Sequence, residues 1–204
     1  YVFFGGNTKE VEKRTKVKAR MVSNSLTKII KDSDNVVIMG HSHSDMDSIG
    51  SALGIYSLAK SLQKEAKIVI EEVGIGIDNF LDSAKQMEEY QNVFINKSKA
   101  MDITTENTLL VVVDTNKKNH VEVPELLDKT SKVVVIDHHR RSTDYIENAI
   151  LAFHEVYASS ASELVTEILE YAPSKVNLTS LEMDALYVGI TLDTKEFTFK
   201  TGVR

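Results

Sequence analysis

The sequence predicts an α/β fold with a mainly parallel sheet, and three observations carry that prediction. Continuous apolar, β-branched runs stand at Val36–Met39, Leu109–Val113 and Val133–Ile136. Such runs suit strands buried on both faces, as in parallel sheets covered by helices. Segments with helical periodicity lie between them, and the runs empty into polar loops that hold acids: Asp45 and Asp47, Asp114, and Asp137. The pattern reads as a Rossmann-like, doubly wound, mainly parallel five-stranded sheet with flanking helices.

In chain order, Tyr1–Gly6 reads as the end of a strand, and Lys9–Lys31 as a surface helix with Val11, Val17, Met21, Val22, Leu26, Ile29 and Ile30 on its apolar positions. Its cluster of Lys13, Arg14, Lys16, Lys18 and Arg20 reads as a solvated helix face. Residues 1–34 are taken as the tail of a preceding domain and a connecting helix, and residues 35–204 as the α/β domain. Val36–Met39 is the first strand, and Ser48–Leu62 the helix after it. Gly50 and Gly54 cost that helix about 1 kcal/mol each against Ala, and their small size lets the first turns press on the sheet or the preceding loop.

Lys67–Ile70 is the second strand, and Asn79–Tyr90 a helix capped by Asp78. Val93–Ile95 and Leu109–Val113 are the third and fourth strands. Pro124 opens a short helix ending near Lys129, and Val133–Ile136 is the fifth strand. Leu151–Val156 suggests an added edge strand. Ser159, Ser160 and Glu163 form a capping pattern for a helix over Ala161–Tyr171, and Thr179 with Glu182 caps a last helix running to Asp193.

Composition narrows the function. The chain has 204 residues, 42% of them hydrophobic, enough for one α/β domain with a full core. Thirty acidic against 24 basic residues give a formal charge of −6, which disfavours long nucleic acid held by bulk electrostatics. A small phosphate ligand held through metals is compatible with that charge. Without cysteine there is no disulfide and no thiol nucleophile. No run of apolar residues is long enough to span a membrane, so this chain is expected to be soluble.

Parallel strands bring their carboxyl ends to one edge, so Asp45, Asp47, Asp114 and the Asp137-His138-His139 triplet should converge there with His41. Bare carboxylates in one cleft repel, and divalent cations resolve the repulsion. Carboxylate and imidazole donors together suit Mn, Fe or Zn. Two adjacent histidines cannot both point at one ion from a regular strand end. One should ligate and its neighbour face a substrate. His43 reads as an exposed loop residue, His154 as structural, and Glu71 and Glu72 as solvated or outer groups.

Gly-His-x-x-x-Asp-x-Asp-x-x-Gly at 40–50, Val-Val-Asp-Thr at 112–115, Asp-His-His at 137–139 and Thr-Leu-Asp-Thr at 191–194, in this order, resemble the motifs of the DHH phosphoesterases. The wording from Thr191 to Arg204 is similar to that of the GdpP-type cyclic-di-AMP phosphodiesterases. The resemblance implies two divalent ions, Mn first with Fe or Co as alternatives. One ion would be held by His41, Asp45 and Asp114, the other by Asp47, Asp114, His138 and Asp193, with Asp114 bridging. It further implies that His139 meets the substrate phosphate, with Asp137 an acceptor that fixes ring orientation, and that Asn116 and Arg140 offer further substrate contacts.

The activity so implied is hydrolysis of cyclic-di-AMP, a second messenger, to 5′-pApA through a metal-bridging hydroxide. A nanoRNase-like phosphoesterase acting on short oligonucleotides, a pyrophosphatase, and a non-catalytic metal- or nucleotide-binding module are the alternatives. Relatives of this type carry a degenerate GGDEF domain upstream, membrane helices that anchor the full-length protein to the cytoplasmic face, and a C-terminal substrate-binding domain. The chain as given would be a soluble, cytoplasmic part, free of membrane contact, weakly active alone, and compatible with a homodimer.

Overall fold

A computed structural model describes residues 8–72, 76–141 and 143–199. The strand end expected at Tyr1–Gly6 lies outside these. Six strands form one sheet in the order β3-β2-β1-β4-β5-β6: β1 (Val36–Met39), β2 (Ala66–Val69), β3 (Phe94–Ile95), β4 (Leu109–Val113), β5 (Lys132–Asp137) and β6 (Leu151–His154). Every pairing is parallel. The expected count of five becomes six because the edge strand expected over Leu151–Val156 forms at Leu151–His154 and joins the sheet beside β5.

Both faces of the central strands are apolar, and alternate residues feed two cores. Val36, Ile38, Val111, Val113, Val134 and Ile136 face one core, while Val37, Met39, Leu110, Val112, Val133 and Val135 face the other. The first core is covered by α1 (Thr8–Lys31), α2 (Met46–Ser61), α5 (Ala161–Glu170) and α6 (Ser180–Asp193). On the second lie α4 (Lys97–Ile103) and the 3-10 turn Pro124–Asp128. The remaining helix, α3 (Asp78–Gln86), joins β2 to β3.

The chain order reverses between β1 and β4, which are neighbours in space though β2 and β3 intervene in sequence. At such a switch point the loops leaving the two strands diverge to opposite sides and open a crevice. The His41–Asp47 segment and Asp114 leave the sheet there.

Helix α2 is buried almost throughout, from Asp47 to Ala59, and two glycines set how closely its neighbours approach. A Cβ on Gly50 would stand 2.5 Å from the Ala185 carbonyl oxygen, and one on Gly54 2.4 Å from Val165 Cγ1. The expectation that they press on the sheet or metal loop is corrected: they admit α6 and α5. The helix expected over Asn79–Tyr90 stops at Gln86, because Met87 turns extended (φ −83°, ψ 128°). Glu88–Tyr90 then forms a 3-10 turn that delivers Tyr90 into the core, fully buried. Asp78 is the first residue of α3 and makes no side-chain cap. The two capping patterns hold: Ser160 accepts from Glu163 N, and Thr179 and Glu182 form a reciprocal box.

Candidate metal centre

The first ligand loop is shaped by Gly40, where a Cβ would stand 1.7 Å from Ser48 Oγ, so the chain turns tightly over the start of α2. Asp45 caps that helix, with Oδ1 accepting from the amides of Asp47 and Ser48, each at 3.0 Å. The same oxygen lies 3.6 Å from His41 Nε2. A carboxylate has lone pairs for both duties, so capping and ligation are not alternatives here.

Asp47, in the first turn of α2, is 2% exposed. Its two oxygens accept from the amides of Ala161 (2.7 Å) and Ser162 (2.8 Å), the free N–H groups at the start of α5. That contact holds the carboxylate rigidly and favours its negative charge. Asp114 follows β4 in the left-handed region (φ 59°), a conformation Asp tolerates better than most residues.

Asp114 divides its oxygens between two histidines. Oδ2 lies 3.4 Å from His41 Nε2, and Oδ1 lies 3.3 Å from His138 Nε2. His138 Nε2 also stands 3.3 Å from Asp193 Oδ2 and 3.7 Å from Asp47 Oδ2. Asp193 is the last residue of α6, which lays it across the mouth of the crevice. His41, Asp45 and Asp114 thus form one group and Asp47, His138 and Asp193 a second, each with ligand atoms within 4.8 Å of one another. A third grouping, Asp114 with His138 and His139, overlaps them.

These residues fit divalent cations on an observation independent of motif. Both ring nitrogens of His138 and Asp114 Oδ1 are buried without a hydrogen-bond partner, a costly state for polar atoms among carboxylates. In the metal-free protein protons take up the imbalance. Burial pulls the His41 imidazole down, but Asp114 and Asp45 outweigh it and hold its pKa up at about 11. Burial likewise opposes charge on His138, and Asp114, Asp47 and Asp193 raise it to about 9. Desolvation, reinforced by Asp114, raises both Asp47 and Asp193.

Asp137, fully buried at the end of β5, works one step behind. Burial would raise its pKa, yet hydrogen bonds from His139 and Asn116 hold it below the ordinary carboxylate range. Its Oδ1 accepts from the His139 amide (3.2 Å) and ring Nδ1 (2.9 Å). The ring it fixes is therefore that of His139, whereas His138 Nδ1 has no partner. The two rings lie 4.3 Å apart, tilted by 56°. The His138 ring is buried in the cluster and the His139 ring half-exposed.

A cavity of about 420 Å³ opens on the cluster. Its walls include His41, Asp45, Asp114 and Asp193 on the acidic side, with Asn116, His139 and Arg140 also present. Asn116 donates its amide to Asp137 Oδ2 and to the His139 carbonyl, so it supports the histidine besides lining the cavity. Thr115 of the Val-Val-Asp-Thr motif also lines it, as do Lys117 and His120, which the sequence does not single out. The segment after β4 reaches the first loop through Ser42 N–His120 O and Glu122 N–Gly40 O bonds, a long-range pairing with no local signature.

His43 is exposed, with φ 58°, and its Nδ1 meets Glu72 at 2.7 Å. Glu71 accepts from the Lys97 amide. None of the three belongs to a ligand group. His154 contacts the His139 carbonyl through Nε2.

A parallel sheet whose switch-point crevice gathers two carboxylate–histidine groups beside a shared aspartate defines an α/β domain with side-chain groups that could hold metal ions. The chain belongs to the DHH family: the family's N-terminal domain matches residues 35–190. It is 45% identical over 204 residues to the cyclic-di-AMP phosphodiesterase GdpP of Bacillus subtilis, a match covering 99% of this chain and 31% of that protein. Identity to the cyclic-di-AMP phosphodiesterase PdeA of Listeria monocytogenes is 44%, with the same coverage. The bifunctional oligoribonuclease and PAP phosphatase NrnA of Mycoplasma genitalium is 30% identical over 175 residues, which cover 83% of this chain and 49% of that protein. The chain thus spans about a third of the length of the first two relatives. The crystal structure of an exopolyphosphatase-related protein from Bacteroides fragilis shares the fold, with a TM-score of 0.74 at 22% identity over 90% of this chain and 53% of that one.

Proposed function

We propose that this chain is the two-metal catalytic domain of a phosphodiesterase that opens cyclic-di-AMP to 5′-pApA. The observation that carries the reading is the division of Asp114, one oxygen toward each of two separate ligand groups. Such a carboxylate would help hold both of a pair of ions, and two-metal sites serve in-line displacement at phosphorus. Identity to two cyclic-di-AMP phosphodiesterases across 99% of the chain supports the substrate.

Bound divalent cations would acidify water and offset charge on phosphoryl oxygens. The chain's own residues hold and aim the substrate. Asp137 accepts from His139 Nδ1, so Nε2 is the ring nitrogen left for the cavity, where the imidazolium form would donate its second N–H to a phosphate oxygen. Arg140 on the same wall supplies positive charge, and a planar guanidinium suits phosphate. Asn116 keeps Asp137 and His139 together. The donor set of carboxylates and two imidazoles favours manganese, with iron or cobalt next.

The wider setting is inferred from the relatives' greater length. We read α1 as the connector from an upstream, GGDEF-like domain of a membrane-anchored protein on the cytoplasmic side, with a substrate-binding domain downstream. No helix among the described residues is long and apolar enough to cross a membrane.

Elemental analysis of the purified protein, with chromatography of its products, tests the reading. Two metal ions per chain and 5′-pApA from cyclic-di-AMP are expected. Metal without turnover in the full-length protein would replace the enzyme by a binding module. Turnover of short oligonucleotides alone would move the assignment to the activity named for NrnA.

A further inference from the structure

We propose that His154 is a positioning residue for His139, a role that rests on the phosphodiesterase reading above. The parallel register of β5 and β6 sets His154 opposite Asp137, so its imidazole lies beside the loop that carries His139. His154 Nε2 bonds to the His139 carbonyl and stands 4.0 Å from Asp137 Oδ2. A carbonyl only accepts, so Nε2 of His154 carries the proton.

His139 needs such support. Its side chain is 53% exposed, so packing does not hold it, and an exposed imidazole that must meet one phosphate oxygen is aimed by its hydrogen bonds. The ring is tied at Nδ1 by Asp137. Its backbone is tied at the carbonyl by His154 from one side and by Asn116 Nδ2, at 3.5 Å, from the other. Losing His154 leaves the longer of the two ties.

His154 is itself anchored from behind. Lys18 of α1 reaches its carbonyl at 3.4 Å and pairs with neighbouring Glu155. The strand end that supports His139 is thus clamped between the sheet and α1. No position motif predicts this: the side chain matters through strand register alone.

The test compares His154→Met, which keeps bulk and removes the donor, with His154→Gln, whose amide can donate along the same path. In the manganese-loaded full-length protein, His154→Met should lower kcat on cyclic-di-AMP about 10-fold, the low end for loss of an outer partner at a metal site. Metal content and thermal midpoint should stay at wild-type values, and His154→Gln should recover most of the rate. In the zinc-loaded protein, the 15N resonances of the His139 ring should shift in the Met variant and return in the Gln variant. Unchanged kcat with unmoved His139 resonances in His154→Met, or a Gln variant as slow as Met, would overturn the proposal. Wild-type protein that cleaves no phosphodiester would instead sink the enzymatic reading, and the His139 resonances alone would then decide the positioning role.

Discussion

Asp114 Oδ1 and His138 Nε2 stand 3.3 Å apart, buried, and neither makes a hydrogen bond. Two polar atoms so close and so poorly aligned with each other are both aimed at a third position. The neighbouring oxygens of Asp47 and Asp193, at 3.7 and 3.3 Å from the same nitrogen, surround that position. The cluster is acidic, so its natural occupant is a cation.

Replacing Asp114 by Asn should therefore remove metal without breaking the fold. Asn tolerates the left-handed backbone at this position (φ 59°), so the kink survives. The amide offers one neutral oxygen where two charged ones served two groups. Metal content should fall below one ion per chain, and activity by more than the roughly 10- to 100-fold typical of losing an outer partner. Inductively coupled plasma analysis beside circular dichroism checks both halves; retention of two ions would refute the bridging assignment.

Metal loading should release protons. At pH 7.5 the metal-free protein holds His41, with a pKa near 11, and His138, near 9, as imidazolium. Ligation needs neutral imidazole. Titration calorimetry in buffers of differing ionisation enthalpy should report about two protons released per loaded chain. Both pKa values lie above the unfolded value of 6.5, so their contribution to metal-free stability is complete below pH 6.5. It is lost as pH rises through 9 and then 11. The thermal midpoint of the metal-free protein should thus fall across pH 8 to 11, and that of the loaded protein should change less.

Gly50→Ala separates local propensity from packing. Propensity alone predicts a gain of about 1 kcal/mol for Ala in a helix interior. The new Cβ would stand 2.5 Å from the backbone oxygen of Ala185, and backbone cannot rotate away as a side chain can. Overpacking of this kind costs about 1–3 kcal/mol. Chemical denaturation should show net destabilisation, and a stabilised variant would mean that α2 and α6 are less tightly apposed.

Much of this arrangement was legible in the chain. Val36–Met39, Leu109–Val113 and Val133–Ile136 announced buried parallel strands because β-branched runs have few other uses, and the acids at their ends followed from parallel geometry. Thr179 and Glu182 marked a helix start by purely local chemistry. The placements that the sequence does not carry depend on pairing between distant segments. His120 reaches the cavity through bonds between the loops after β1 and β4, and His154 meets Asp137 through β5–β6 register. The edge strand at Leu151–His154 is legible as a strand, but with Ala152 exposed its apolar pattern is too weak to fix its partner.

Asp47 and Asp193 belong to one ligand group, yet only the removal of Asp47 should destabilise the metal-free protein. Asp47 receives the Ala161 and Ser162 amides at the start of α5. Asp47→Ala leaves two buried donors unsatisfied, each costing about 1–3 kcal/mol. That exceeds the relief from removing a carboxyl whose pKa burial and Asp114 already raise. Asp193 makes no hydrogen bond to a backbone amide among the described residues and is partly exposed. Burial and Asp114 raise its pKa although His138 opposes them. In denaturant melts at pH 7 without metal, Asp47→Ala should be clearly less stable than wild type, and Asp193→Ala equal to it or slightly more stable. With metal added, both should lose the stabilisation that wild type gains. Equal destabilisation of the two metal-free variants would show that the Asp47 contact to α5 does not anchor that helix.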